Sequence, residues 1–169
     1  MKKRLFCILL SLLICLASAM SVPGASGSGQ GTRYGSGPDD RTYYIFDGKK
    51  YVIDYSWGQH YLTGFSAAET GSAKTTSGAI ARENYTAAST RANLGKVILV
   101  KAVSGGADKS RYDGVYKCED TGGPAVETGV PNTGGVPVVD LYFNDLRSAL
   151  AVTDQGWITA EIFILKEAD

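Results

Sequence analysis

Hydrophobic and polar positions along this chain mostly alternate in short runs, the period of half-buried strands. "RTYYIFDGKKYVIDYSW" (41–57) sets two aromatic and β-branched runs on either side of Asp47-Gly48, which predicts a hairpin with a tight turn. "LGKVILVKAV" (94–103) is an almost continuous apolar strand, and "SGGAD" after it is a turn. "YDGVYKCED" (112–120) alternates into a strand that stops at Thr121-Gly122-Gly123. "VPVVDLYF" (136–143) and "WITAEIFIL" (157–165) predict two more strands. Only "NDLRSALAVTDQGW" has helical spacing, with Asn144 as N-cap, an apolar face of Leu146, Ala149 and Leu150, and Gly156 as the stop. Between these, "HYLTGFSAAETG" and "KTTSGAIARENYTAAST" are rich in small residues and turn at Ser77-Gly78. Many short strands, one short helix and no βαβ rhythm predict a mainly β fold, a small barrel preceded by an aromatic-rich hairpin. Closure would remove the exposed sheet edges.

The ends of the chain change this picture. "MKKRLFCILLSLLICLASAM" places Lys2, Lys3 and Arg4 before a short apolar run and an Ala17-Ser18-Ala19 site, the pattern of an export leader over residues 1–19. The run is shorter than the roughly 20 residues that a membrane span needs. Residues 20–40 are Gly and Ser rich and read as a flexible leader, with order beginning near Arg41. The remaining organisation is a hairpin extension at 41–60 and one domain at 61–169. The chain carries 17 basic and 17 acidic residues; loss of the three leader cations leaves 14 against 17, a net charge of about −3. Nothing here forms the basic patch that nucleic acid requires. Cys7 and Cys15 leave with the leader, so Cys118 has no intrachain partner and reads as a small core hydrophobe. One His, His60, and one mature Cys argue against a zinc site, and His60 reads as structural or surface rather than catalytic. No cofactor is implied, and the expected state is a secreted or wall-associated monomer.

The candidate chemistry lies in "YKCEDTGGPAVETGVPNTGGVPVVDLYF" (116–143). Asp120 precedes a tight turn and Asp140 sits within an apolar strand. Burial would raise the Asp140 pKa, and a carboxylate at Asp120 or Glu119 would push it the same way. The amides of Thr121, Gly122 and Gly123 could form a small anion-binding nest. Asp120 has a plainer reading as a turn cap, and Asp140 could face solvent. The aromatic residues pack a sheet face or line a sugar-binding surface. "EDTGG" followed by "VVDLYF" resembles the C-terminal half of the three-aspartate domain of the rare-lipoprotein-A-like double-psi β-barrels. It is also similar to the catalytic barrel of membrane-bound lytic transglycosylase A. "TGFSAAETGSAKTTSGAIA" (63–81), "LGKVILV" (94–100) and "GWITAEIFIL" (156–165) extend the resemblance over about 61–166. It implies a six-stranded double-psi barrel acting on peptidoglycan or a related wall glycan. Asp140 would be general acid then base, and Asp120 would orient the sugar or tune Asp140; apart from the resemblance, Glu69, Ser77 and Glu127 are candidate sugar contacts. Three features depart from the family. Its first aspartate falls on Ala88, its last two aspartates stand closer than the 20 residues here, and "PAVETGVPNTGGVP" replaces the basic segment after the turn. A barrel that binds glycan without cutting it, or a surface or spore-associated scaffold, is the alternative.

Overall fold

The structure, a computed structural model, describes residues 32–36, 42–123, 126, 135–154 and 156–169. The expected leader at 1–19, most of the 20–40 segment and Glu127 lie outside these residues. The protein is mainly β. Its strands are β1 Thr32–Ser36, β2 Thr42–Phe46, β3 Lys49–Ser66, β4 Thr86–Ser89, β5 Val97–Ser104, β6 Gly114–Thr121, β7 Val138–Phe143 and β8 Ile158–Glu167. Among the described residues two α-helices accompany them, the single turn α1 (Ala67–Thr70) and α2 (Leu146–Asp154), with short 3-10 turns at Arg91–Asn93 and Lys109–Tyr112.

All eight strands pair in the order β1-β2-β3-β7-β4-β6-β5-β8, and β8 pairs again with β3. Six strands, β3, β7, β4, β6, β5 and β8, therefore pair in a closed cycle, with β2 and β1 extending from β3. Two pairs of the cycle, β3–β7 and β4–β6, are parallel; the others are antiparallel. The main buried cluster includes Leu62, Ala87, Ile98, Cys118, Leu141 and Ile162. Cys118 is fully buried, and burial pushes its thiol up to about 12, which makes it inert packing.

The predicted hairpin forms. Asp47 and Gly48 both take positive φ, 49° and 73°, the geometry that matches the twist of the strands they join. Behind the turn, the Tyr85 hydroxyl donates to the Asp47 carboxylate, and the Tyr85 ring stacks on Phe46 at 4.7 Å. Burial, then this bond, pushes the Tyr85 hydroxyl up to about 12. The hairpin is thus fastened to the segment that enters β4.

Four expectations need correction. The 20–40 segment contains a strand, β1, added to β2 through backbone pairing from Thr32 to Ser36. The proposed boundary at 60/61 falls inside β3, a single 18-residue strand. Register shifts at Ile53/Tyr55 and Ser56/Gly58 break its alternation and hide its continuity. Beyond the single predicted helix, α1 forms directly after β3 and ends at Gly71, with φ 78°. The N-cap of α2 is Asp145, whose Oδ1 accepts from the Ser148 amide at 2.8 Å, while the Asn144 amide donates to Glu83 Oε2 at 3.2 Å. Its buried face is Ala149 and Val152, and Leu146 and Leu150 are exposed. The small Ala149 lets the helix backbone lie directly over Gly64 of β3.

His60 is buried rather than at the surface. Its Nδ1–H donates to the Gly58 carbonyl at 3.1 Å, its ring lies 4.0 Å from that of Trp57, and burial lowers its pKa. Among the described residues no helix is long and apolar enough to cross a membrane.

Candidate functional site

Four positions meet in register across the sheet: Thr63 of β3 pairs with Asp140 of β7, Asp140 with Ala88 of β4, and Ala88 with Asp120 of β6. Paired residues on neighbouring strands project from the same face. The two aspartates, 20 residues apart in sequence, therefore belong to one short row. A bulge makes this possible. Ala87 pairs with Cys118 but Ala88 with Asp120, so Glu119 is the extra residue and Asp120 moves onto the face of Ala88.

Asp140 is half-buried by surface area, and its carboxyl is pushed up to about 7. Burial is the main cause, followed by the Glu69 and Asp120 carboxylates. Glu69 reaches this neighbourhood because α1 follows β3 without a loop. The main chain crosses close above the acid. A Cβ added to Gly122 would lie 3.2 Å from Asp140 Oδ2 and 1.9 Å from Val126 Cγ2, so only glycine fits there.

Asp120 holds a turn. Its Oδ1 accepts from the Thr76 amide at 3.0 Å, the Thr76 hydroxyl at 2.6 Å and the Thr121 amide at 2.9 Å. The Thr76 and Thr121 hydroxyls are 3.0 Å apart. The Thr75–Gly78 turn, closed by Gly78 N–H to Thr75 C=O at 2.9 Å, is thereby docked against the end of β6. The plainer reading of Asp120 is thus realised alongside its place in the row.

Other expected site residues fall elsewhere. The Thr121 amide is taken by Asp120, and the Gly122 amide donates to the Ser89 carbonyl at 3.3 Å. The expected nest loses two of its three donors; Gly123 contributes its carbonyl to the Val126 amide at 3.0 Å. The Ser77 hydroxyl turns back to Thr75 Oγ1 at 3.0 Å and its amide donates to the Glu119 carbonyl, so its neighbour Thr76 makes the contact with the site. Glu119 plays no part in the row. Its Oε2 accepts from Thr86 at 2.8 Å, with Lys117 Nζ 3.8 Å from Oε1. Thr76 and Thr63 were missed. The Thr-Thr-Ser-Gly turn was visible, but its partner lies 44 residues away, and nothing local marks Thr63.

Two cavities among the described residues lie apart from both aspartates. One of about 20 Å³ beside Asn84 and Tyr112 has room for a single water, and one of about 260 Å³ lies beside Tyr44 and Asp113. No group of three or more His, Cys, Asp or Glu side chains among the described residues is arranged to hold a metal. No protein-family model matches this chain, and no curated protein matches it.

Proposed function

We propose that this chain is an exported, cell-wall-associated lytic transglycosylase that cleaves peptidoglycan between muramic acid and glucosamine on a six-stranded double-psi β-barrel. The closed cycle of six strands, with two parallel pairs among antiparallel ones, supports the barrel. The observation that carries the activity is Asp140: a carboxyl with its pKa pushed to about 7, in a row with a second aspartate. Such a group keeps its proton in about half of the molecules at pH 7 and can act as a general acid.

Asp140 would protonate the glycosidic oxygen as the bond to the anomeric carbon breaks, leaving an oxocarbenium-like centre. The resulting carboxylate would then take the proton of the muramic acid 6-hydroxyl, whose oxygen attacks that centre. The product is a 1,6-anhydro sugar, no water is consumed, and Asp140 ends protonated as it began. The neighbouring Asp120 and Glu69 charges keep Asp140 a usable base once ionised. Tyr61, two residues before Thr63 on the same face of β3, meets half-exposed Trp157 at 5.2 Å between ring centres. An aromatic surface roughly 6.6 Å along the strand from the acid's row suits the apolar face of a sugar ring.

A second reading, a barrel that binds wall glycan without cutting it, is favoured by Ala88. A methyl group stands between the two aspartates, where the resembling family carries a third. Digestion of peptidoglycan by purified residues 20–169, followed by mass spectrometry, separates the readings. Anhydro-muropeptides are expected from the wild type, with Asp140→Asn reducing their rate of formation about 10²- to 10⁴-fold. Co-sedimentation with the wall without product would support the binder, and neither result would leave a scaffold.

A further inference from the structure

Thr63 holds a buried hydroxyl with no use inside the fold. Its Oγ1 is shielded from water and has no hydrogen-bond partner among the described residues. Buried hydroxyls are nearly always paired, because an unpaired one has lost water and gained nothing. β8 offers it nothing across the strand, since the β3–β8 pairing ends one residue earlier at Leu62–Ile158. On the other side of β3 its partner in register is Asp140. The Asp140 carboxyl accepts no hydrogen bond among the described residues, and its surroundings push it toward the neutral state. A donor without an acceptor thus stands beside an acid that lacks a donor for its ionised form.

We infer that Thr63 is a positioning residue for Asp140: its hydroxyl turns onto the Asp140 carboxylate when that group gives up its proton. A rotation about the Thr63 Cα–Cβ bond is the movement required. The hydroxyl stabilises the ionised acid, limits how far the surrounding carboxylates raise its pKa, and fixes which oxygen is free to take the next proton. Among the described residues, the other titratable groups that act on Asp140 are Glu69 from α1 and Asp120 from β6, both acidic. β4 presents Ala88, and the chain after β6 presents Gly122 and Val126, which carry no charge. Among the described residues, Thr63 is the remaining hydrogen-bond donor in the row. Its part in turnover rests on the glycan-cleaving reading; its bond to Asp140 does not.

The test is a carbon-13 NMR titration of the Asp140 carboxyl in the wild type, Thr63→Ser and Thr63→Val, assigned with Asp140→Asn. Thr63→Val is expected to raise the Asp140 pKa by about one unit, the scale of a lost hydrogen bond to a charged group. Thr63→Ser, which keeps the hydroxyl, is expected to leave it in place, a rescue that a packing role would not produce. The alkaline limb of the kcat/KM profile on peptidoglycan should move with it. An unchanged Asp140 pKa in Thr63→Val, with the wild type near 7, overturns this inference and leaves the reading of Asp140 standing. A wild-type value near 4 overturns both.

Discussion

Asp140→Asn is expected to be more stable than the wild type at pH 9 and no different at pH 3. The reason is proton linkage. The carboxyl titrates at about 7 in the fold against an ordinary 3.8. Below 3.8 both folded and unfolded chains carry the proton, so burial of the group incurs no charge penalty. Between 3.8 and about 7 the unfolded chain releases the proton while the folded chain keeps it. Wild-type stability then falls by about 1.4 kcal/mol per pH unit. Above 7 both forms are ionised and the full loss, on the order of 4 kcal/mol, persists. Asparagine has nearly the same shape and no charge, so the variant escapes this loss. Urea unfolding of both proteins from pH 3 to 9 gives the difference directly. Parallel curves at every pH would mean that the acid is hydrated as if free.

Gly64→Ala is expected to lower stability by about 3 kcal/mol, roughly 10 °C in Tm for a chain of this size. A Cβ at this position would lie 2.5 Å from the Ala149 carbonyl oxygen, 2.8 Å from Ala149 Cα and 2.9 Å from Val152 Cγ2. Two of these atoms are helix backbone and cannot swing aside, so α2 must lift from β3. Ala149 and Val152 are the buried residues of that helix, so lifting it exposes most of what holds it. Gly64 also pairs with Leu141, next to Asp140, and a shifted β3–β7 register would disturb the row as well. Thermal melts monitored by circular dichroism check the effect. A change within about 0.5 kcal/mol, the range of ordinary surface substitutions, would show that α2 is not seated as described.

What the sequence made legible was local. Asp47-Gly48 announced its turn because two adjacent positive φ angles need those residue types. Asp140 could be singled out because a carboxyl between Val139 and Leu141, both buried, is costly to ionise wherever its strand lies. What stayed hidden was non-local. The pairing sets Ala88 between Asp120 and Asp140, an adjacency that no local pattern states. The continuity of β3 was masked by its bulges, and the one-turn α1 is too short to show a helical period. The bulge at Glu119 decides which of two adjacent acids joins the row, and composition does not reveal it. Thr76 and Thr63 reach the site only through contacts that close over long stretches of chain.

A general acid at this site must hold its proton far above the ordinary carboxylate range. Asp140 can be followed alone by carbon-13 labelling of aspartate carboxyls and titration of wild-type protein from pH 3 to 9. A single midpoint near 7 is the predicted result. A midpoint near 4, with the fold intact, would contradict it and remove the general acid from the site.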